Sequence, residues 1–72
     1  HLSSAKLEML SPREMEIMAL ISKSMTNEEI ADKLFISSKT VKTHLRNIFE
    51  KAGIRNRVEA ALAYTRHALM LQ

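Results

Sequence analysis

Seventy-two residues with a formal net charge of +3 make one small domain with a limited core. The absence of cysteine excludes disulfides and thiolate metal sites, and it fits a reducing compartment. No apolar run approaches the roughly 20 residues of a membrane span, and no signal peptide is visible. His1 in place of a starting methionine predicts a fragment of a longer chain.

Residues 1–10 read as a linker or N-terminal extension, with a short helical turn around Ala5 to Met9. Leu2, Leu7 and Met9 are expected to pack loosely on a domain formed by residues 11–72. The first sharp signal is Ser11-Pro12-Arg13-Glu14. Serine at the N-cap, proline at the first helical position and glutamate three residues after the cap form a capping box. Leu10 and Met15 occupy its two staple positions. A helix is predicted over about 11–23, with Met15, Ile17, Met18 and Ile21 inward and Glu16, Ala19 and Lys23 outward. The methionines read as core fillers.

Thr26-Asn27-Glu28-Glu29 opens a second helix, about 27–34, with another capping box and with Met25 and Ile30 as the staple pair. Its acids lie in the first turn, where the helix dipole favours them. Ile30, Ala31 and Leu34 form the buried edge. A helix this short must be held by its neighbours.

The third helix, about 38–52, is predicted from two incompatible faces. Val41, Leu45, Ile48, Phe49 and Ala52 share an apolar arc. Lys39, Lys42, Thr43, Arg46 and Glu50 share an opposite arc that is exposed and mostly basic. Thr40, His44, Asn47 and Lys51 form a polar strip along the side. Ser37 is the cap, with Ile36 and Val41 as the staple. Gly53, the sole glycine, stands where the chain must turn left-handed. From Ser37 to Arg57, six basic residues (Lys39, Lys42, Arg46, Lys51, Arg55, Arg57) face one acid, Glu50. That is +5 locally within a total of +3, so the remainder carries −2. Such concentration points to an anionic partner, although charge on a helix face often serves solubility alone.

Ile54 reads as a core plug, and Asn56-Arg57-Val58-Glu59 as a third capping box. The fourth helix, about 57–69, carries two apolar stripes. Val58, Ala61, Leu62, Thr65 and Leu69 form one. Ala60, Ala63, Tyr64, His67 and Leu71 form the other. A terminal helix in a domain of this size buries one face, so the second stripe points to a partner, most economically a two-fold copy. Alanines are also neutral on any helix surface. No segment alternates with a period of two. The architecture is therefore all-α, a four-helix bundle containing a helix-turn-helix in which a short helix, a tight turn and a longer basic helix follow one another.

These motifs together resemble the LuxR/FixJ/NarL-type helix-turn-helix family. The resemblance is carried by Ser11-Pro12-Arg13-Glu14, Thr26-Asn27-Glu28-Glu29-Ile30-Ala31, Leu34-Phe35-Ile36-Ser37, Thr40-Val41-Lys42-Thr43-His44 and Asn56-Arg57-Val58-Glu59-Ala60. It implies sequence-specific binding of double-stranded DNA by the C-terminal output domain of a bacterial transcription regulator, typically a two-component response regulator. An N-terminal receiver domain and RNA polymerase are the implied protein partners, and the bacterial cytoplasm and nucleoid the implied location. Carried across by position, the base readers are Lys42, Thr43 and Arg46. The implied phosphate contacts are Thr26, Asn27, Ser38, Lys39, Thr40, His44, Asn47 and Lys51. The implied homodimer uses Val58, Ala61, Leu62 and Thr65, leaving Ala60 and Tyr64 toward the core.

Two positions depart from the family's pattern. Ser24 replaces a frequent glycine between the first two helices, so that helix end is expected to be shaped differently. Ala52 stands where a bulkier residue is common, so either Phe49 fills the space or the N-terminal segment folds over it.

No catalytic residue, cofactor or metal site is expected. His1, His44 and His67 lack ligand spacing, Glu28 and Glu29 diverge on their helix, and no nucleophile–base pair or phosphate loop is present. The alternative function is a helical protein-interaction module in which the fourth helix docks a receiver domain or RNA polymerase.

Overall fold

A computed structural model describes residues 5–71. A 3₁₀ turn, Leu7–Met9, precedes four helices: α1 (Pro12–Ser22), α2 (Asn27–Leu34), α3 (Ser38–Ala52) and α4 (Arg57–Met70). No strand occurs among the described residues. The predicted fold class and helix order stand, with α2 and α3 as expected and both ends of α1 and the end of α4 shifted by one residue.

The helix starts follow the local chemistry of their caps. Ser11 Oγ accepts from the Glu14 backbone N–H at 3.2 Å, and Glu14 Oε1 accepts in return from the Ser11 N–H at 2.8 Å. Thr26 and Glu29 repeat the arrangement at 3.1 and 2.8 Å. Ser37 Oγ accepts from the Thr40 N–H at 3.0 Å. The predicted third capping box forms only in half. Asn56 Oδ1 accepts from the Glu59 N–H at 2.8 Å, but Glu59 Oε1 takes the Arg55 N–H at 2.5 Å rather than that of Asn56. Reaching one residue further also brings Glu59 Oε2 beside the Arg55 guanidinium, 3.7 Å away.

Three helix ends close in the same way. A residue in the left-handed region brings a following amide back to a carbonyl five residues earlier. Met25 N–H bonds Leu20 O at 3.3 Å, Ile36 N–H bonds Ala31 O at 3.0 Å, and Ile54 N–H bonds Phe49 O at 3.0 Å. The left-handed residues are Ser24 (φ +65°), Phe35 (φ +58°) and Gly53 (φ +70°). The expected reshaping at Ser24 therefore does not occur. Serine adopts the glycine-type conformation, at a cost of roughly 1 kcal/mol. The hydrogen-bonded closure, with Leu20 buried and Met25 packed against the core, holds it there.

The core lies where α1 packs on α4 and α2 packs on α3. Ile17, Met18, Ile30, Val41 and Ile48 are completely buried at its centre. Leu20, Ile21, Leu45, Ile54 and Ala60 complete it with Leu7 and Ala52. Leu7 is thus held more firmly than loose packing implies, while Met9 is exposed. Leu2 lies outside the described residues. The stretch around Leu7 packs on α3, where Leu7 and Ala52 share the buried cluster and the Lys6 N–H donates to Ala52 O at 3.0 Å. Of the two ways to cover Ala52, the N-terminal segment supplies this one, beside a half-buried Phe49.

Candidate nucleic-acid interface

The apolar arc of α3 is pinned on its neighbours, with Val41, Leu45, Ile48 and Ala52 buried. That anchoring turns the basic arc to solvent. Lys39, Lys42, Thr43 and Arg46 are all exposed. Neither lysine nor Arg46 makes an ion pair with a described residue. Glu50 shares this exposed arc one turn beyond Arg46, without pairing to it. Thr43 Oγ1 donates to Lys39 O at 3.2 Å. This commits the hydroxyl to the helix and leaves the methyl as the free end of the side chain.

The other residues carried over as phosphate contacts fall into three settings. Lys39, Thr40 and Asn47 are exposed along α3, and Ser38 and His44 are half-buried. Thr26 and Asn27 sit at the opening of α2, where first-turn amides lack helical acceptors. Thr26 Oγ1 is already engaged by the Glu29 amide, and Asn27 Oδ1 accepts from Arg57 Nη1 at 2.7 Å. Lys51 differs from the rest. Its ammonium lies 2.7 Å from Glu14 Oε1, tying the end of α3 to the start of α1.

Glu14 was legible in the sequence only as a cap. In the fold it is 6% exposed and is the one charged or polar residue buried among those described. Burial pushes its carboxyl upward, as for any acid removed from water. The Lys51 hydrogen bond, the Ser11 backbone amide, the Lys51 charge and the Ser11 hydroxyl outweigh that. The carboxyl is held below the usual glutamate value of about 4.5.

The sequence marked Arg57 as local charge and as part of the Asn56-to-Ala60 motif, with no partner assigned, yet its guanidinium bridges two elements. Nη1 reaches Asn27 Oδ1, and Nη2 reaches Met25 O at 2.5 Å. One signal was available beforehand. A cation in the first turn of a helix opposes the helix dipole, so its position asks for a partner outside α4.

The residues carried over as a dimer surface lie on the outer side of α4. Val58 is 70% and Leu62 59% exposed, Thr65 is exposed and Ala61 half-buried. Ala60 is completely buried and Tyr64 packs against the core. Among the described residues no cluster of His, Cys, Asp or Glu suits a metal ion, and no helix is long and apolar enough to cross a membrane.

Comparison with known proteins agrees with the fold. The profile described as bacterial regulatory proteins, luxR family, matches residues 8–64. The transcriptional regulatory protein LiaR of Bacillus subtilis (strain 168) is 46% identical over 63 residues, covering 88% of this chain and 30% of LiaR. The response regulator protein VraR of Staphylococcus aureus (strain NCTC 8325 / PS 47) and that of Staphylococcus epidermidis (strain ATCC 35984) show the same identity and coverage. This chain thus spans about 30% of the length of the curated relatives it matches. With a four-helix core, a helix-turn-helix and a matched region extending from the 3₁₀ turn into α4, the chain belongs to the luxR family of bacterial regulatory proteins.

Proposed function

We infer that this chain binds double-stranded DNA sequence-specifically, as the output domain of a bacterial transcription regulator. The observation that carries this reading is the exposed face of α3. Three cations without ion-pair partners among the described residues and one free methyl group project from a helix whose opposite face is buried. An α-helix fits the major groove, where each base pair presents a distinct donor and acceptor pattern. Lys42 and Arg46 are suited to guanine O6 and N7, and the Thr43 methyl to that of thymine. Lys39, Thr40, Ser38, His44 and Asn47 flank them, and Thr26 and Asn27 lie at the start of α2, as candidates for phosphate contacts. Lys51 is a weaker candidate, because Glu14 already neutralises its charge.

The chain acts as a homodimer through α4, with Val58, Ala61, Leu62 and Thr65 at the contact. Support comes from the exposure of Val58 and Leu62 on a helix that turns Ala60, Ala63 and Tyr64 of its other stripe to the core, while Leu71 of that stripe is exposed. Two copies of α3 then enter successive major grooves of a partly palindromic site, about 34 Å apart. The name response regulator, carried by the VraR relatives, supports a response regulator as the whole protein; a receiver domain that controls this one is part of the same proposal. RNA polymerase is a further partner of the whole protein, which works on the nucleoid in the cytoplasm.

Selection from a pool of random duplexes, followed by titration of the selected site against mutated sites, tests the reading. Affinity is expected to fall by about 0.9 log units per phosphate contact for each log unit of salt. Lys42→Ala and Arg46→Ala are expected to flatten the preference for the selected site. Equal binding of all duplexes by the unaltered chain would favour a protein-docking role. Unchanged site preference in Arg46→Ala would show the readers to be misassigned.

A further inference from the structure

We propose that Arg57 is a positioning residue for DNA binding, acting through the carboxamide of Asn27. The proposal rests on the DNA-binding reading and adds a residue outside the helix-turn-helix.

Arg57 lies 30 residues from Asn27 in the chain, at the start of α4, where Asn27 stands at the start of α2. Its fork holds two different groups, the Asn27 side-chain oxygen and the Met25 main-chain oxygen. A guanidinium only donates, so the atom of Asn27 facing it must be oxygen. The amide of Asn27 therefore has one permitted orientation, with its Nδ2 donors directed away from Arg57. No acceptor for Nδ2 is found among the described residues. Asn27 is the first residue of α2, beside first-turn amides that also lack helical acceptors. A donor pair oriented in this way is complementary to a phosphate oxygen.

The grip on Met25 O acts in the same direction. Met25 follows the left-handed Ser24 and precedes the Thr26 cap, so Arg57 restrains the turn that sets the entry of α2. Glu28 and Glu29 lie in the same first turn. Their charge repels a phosphate that approaches off line, which makes the aim of the Asn27 donors matter more.

The test measures affinity of the whole 72-residue chain for a mixed-sequence duplex by fluorescence anisotropy across a salt series, below the melting temperature of each variant. Asn27→Ala and Arg57→Lys are each expected to weaken binding about 3- to 10-fold with the salt slope unchanged, since neither alters a charge. The double variant is expected to bind like Asn27→Ala alone, because the two act as one unit. Asn27→Asp keeps the oxygen that Arg57 holds but replaces the donor with an anion. It is expected to fold as the parent does and to bind at least 10-fold more weakly.

Additive losses in the double variant would overturn the role, as would Asn27→Asp binding like the parent. An unaltered chain that binds no duplex at low salt refutes the DNA-binding reading itself. Parent binding with additive losses refutes only the role of Arg57.

Discussion

Replacing Glu14 by glutamine separates a buried charge from a buried shape. The glutamine oxygen still accepts the Ser11 amide, so the cap survives. What is lost is the charge facing the Lys51 ammonium at 2.7 Å. Hydrogen bonds to charged groups contribute about 1.5–3 kcal/mol and neutral ones about 0.5–1.5. The difference is about 1–1.5 kcal/mol, and the exposure of Lys51 holds it from going higher, because water can solvate the released ammonium. A loss of about 1–1.5 kcal/mol corresponds to a fall of roughly 5–10 °C in Tm for a domain of this size. The pH dependence makes the prediction specific. Glu14 titrates below the ordinary value of about 4.5, so its stabilisation is complete above that pH and is lost as pH falls through the folded-state value. Urea denaturation followed by circular dichroism should show a constant gap between parent and Glu14→Gln near pH 7. The gap should narrow below about 4.5 and approach zero once the parent carboxyl is protonated. A gap that persists unchanged in acid, or is absent near neutrality, refutes the argument that the ion pair stabilises this junction.

Two further changes probe the turns and the outer face of α4. Ser24→Gly is expected to raise stability by about 0.5–1 kcal/mol, because it relieves a left-handed, exposed serine; a destabilisation in the same urea assay would show that the serine is not strained. Leu62→Glu is expected to leave monomer stability within about 0.5 kcal/mol, since the side chain is 59% exposed. It should also lower self-association in sedimentation and reduce binding to paired half-sites toward that of a single site. Unaltered association would remove α4 from the dimer contact.

The helices were legible because their determinants are local. Serine, threonine and asparagine mark the caps, and the apolar spacing of α3 marks which face must be buried. The exposure of Lys42, Thr43 and Arg46 follows from that spacing alone, since burying Val41, Leu45 and Ile48 leaves the opposite side no other place. The two stripes of α4 were equally visible, but their spacing did not say which one the core would take; only the family resemblance pointed Ala60 and Tyr64 inward. That was settled when Ala60 and Tyr64 met the rest of the domain.

What only the tertiary structure decided are interactions between residues far apart in the chain. Glu14 and Lys51 sit on different helices, and no periodicity relates them. Their pairing depends on how α1 and α3 are brought together. The hold of Arg57 on Asn27 and Met25 depends likewise on where α4 begins relative to α2. Ser24 shows packing overruling local preference. The residue favours another conformation, but burial of Leu20 with Met25 packed against the core fixes the turn. Local chemistry specifies where each helix starts and which face it hides; the meeting of distant side chains appears only once those hidden faces are joined.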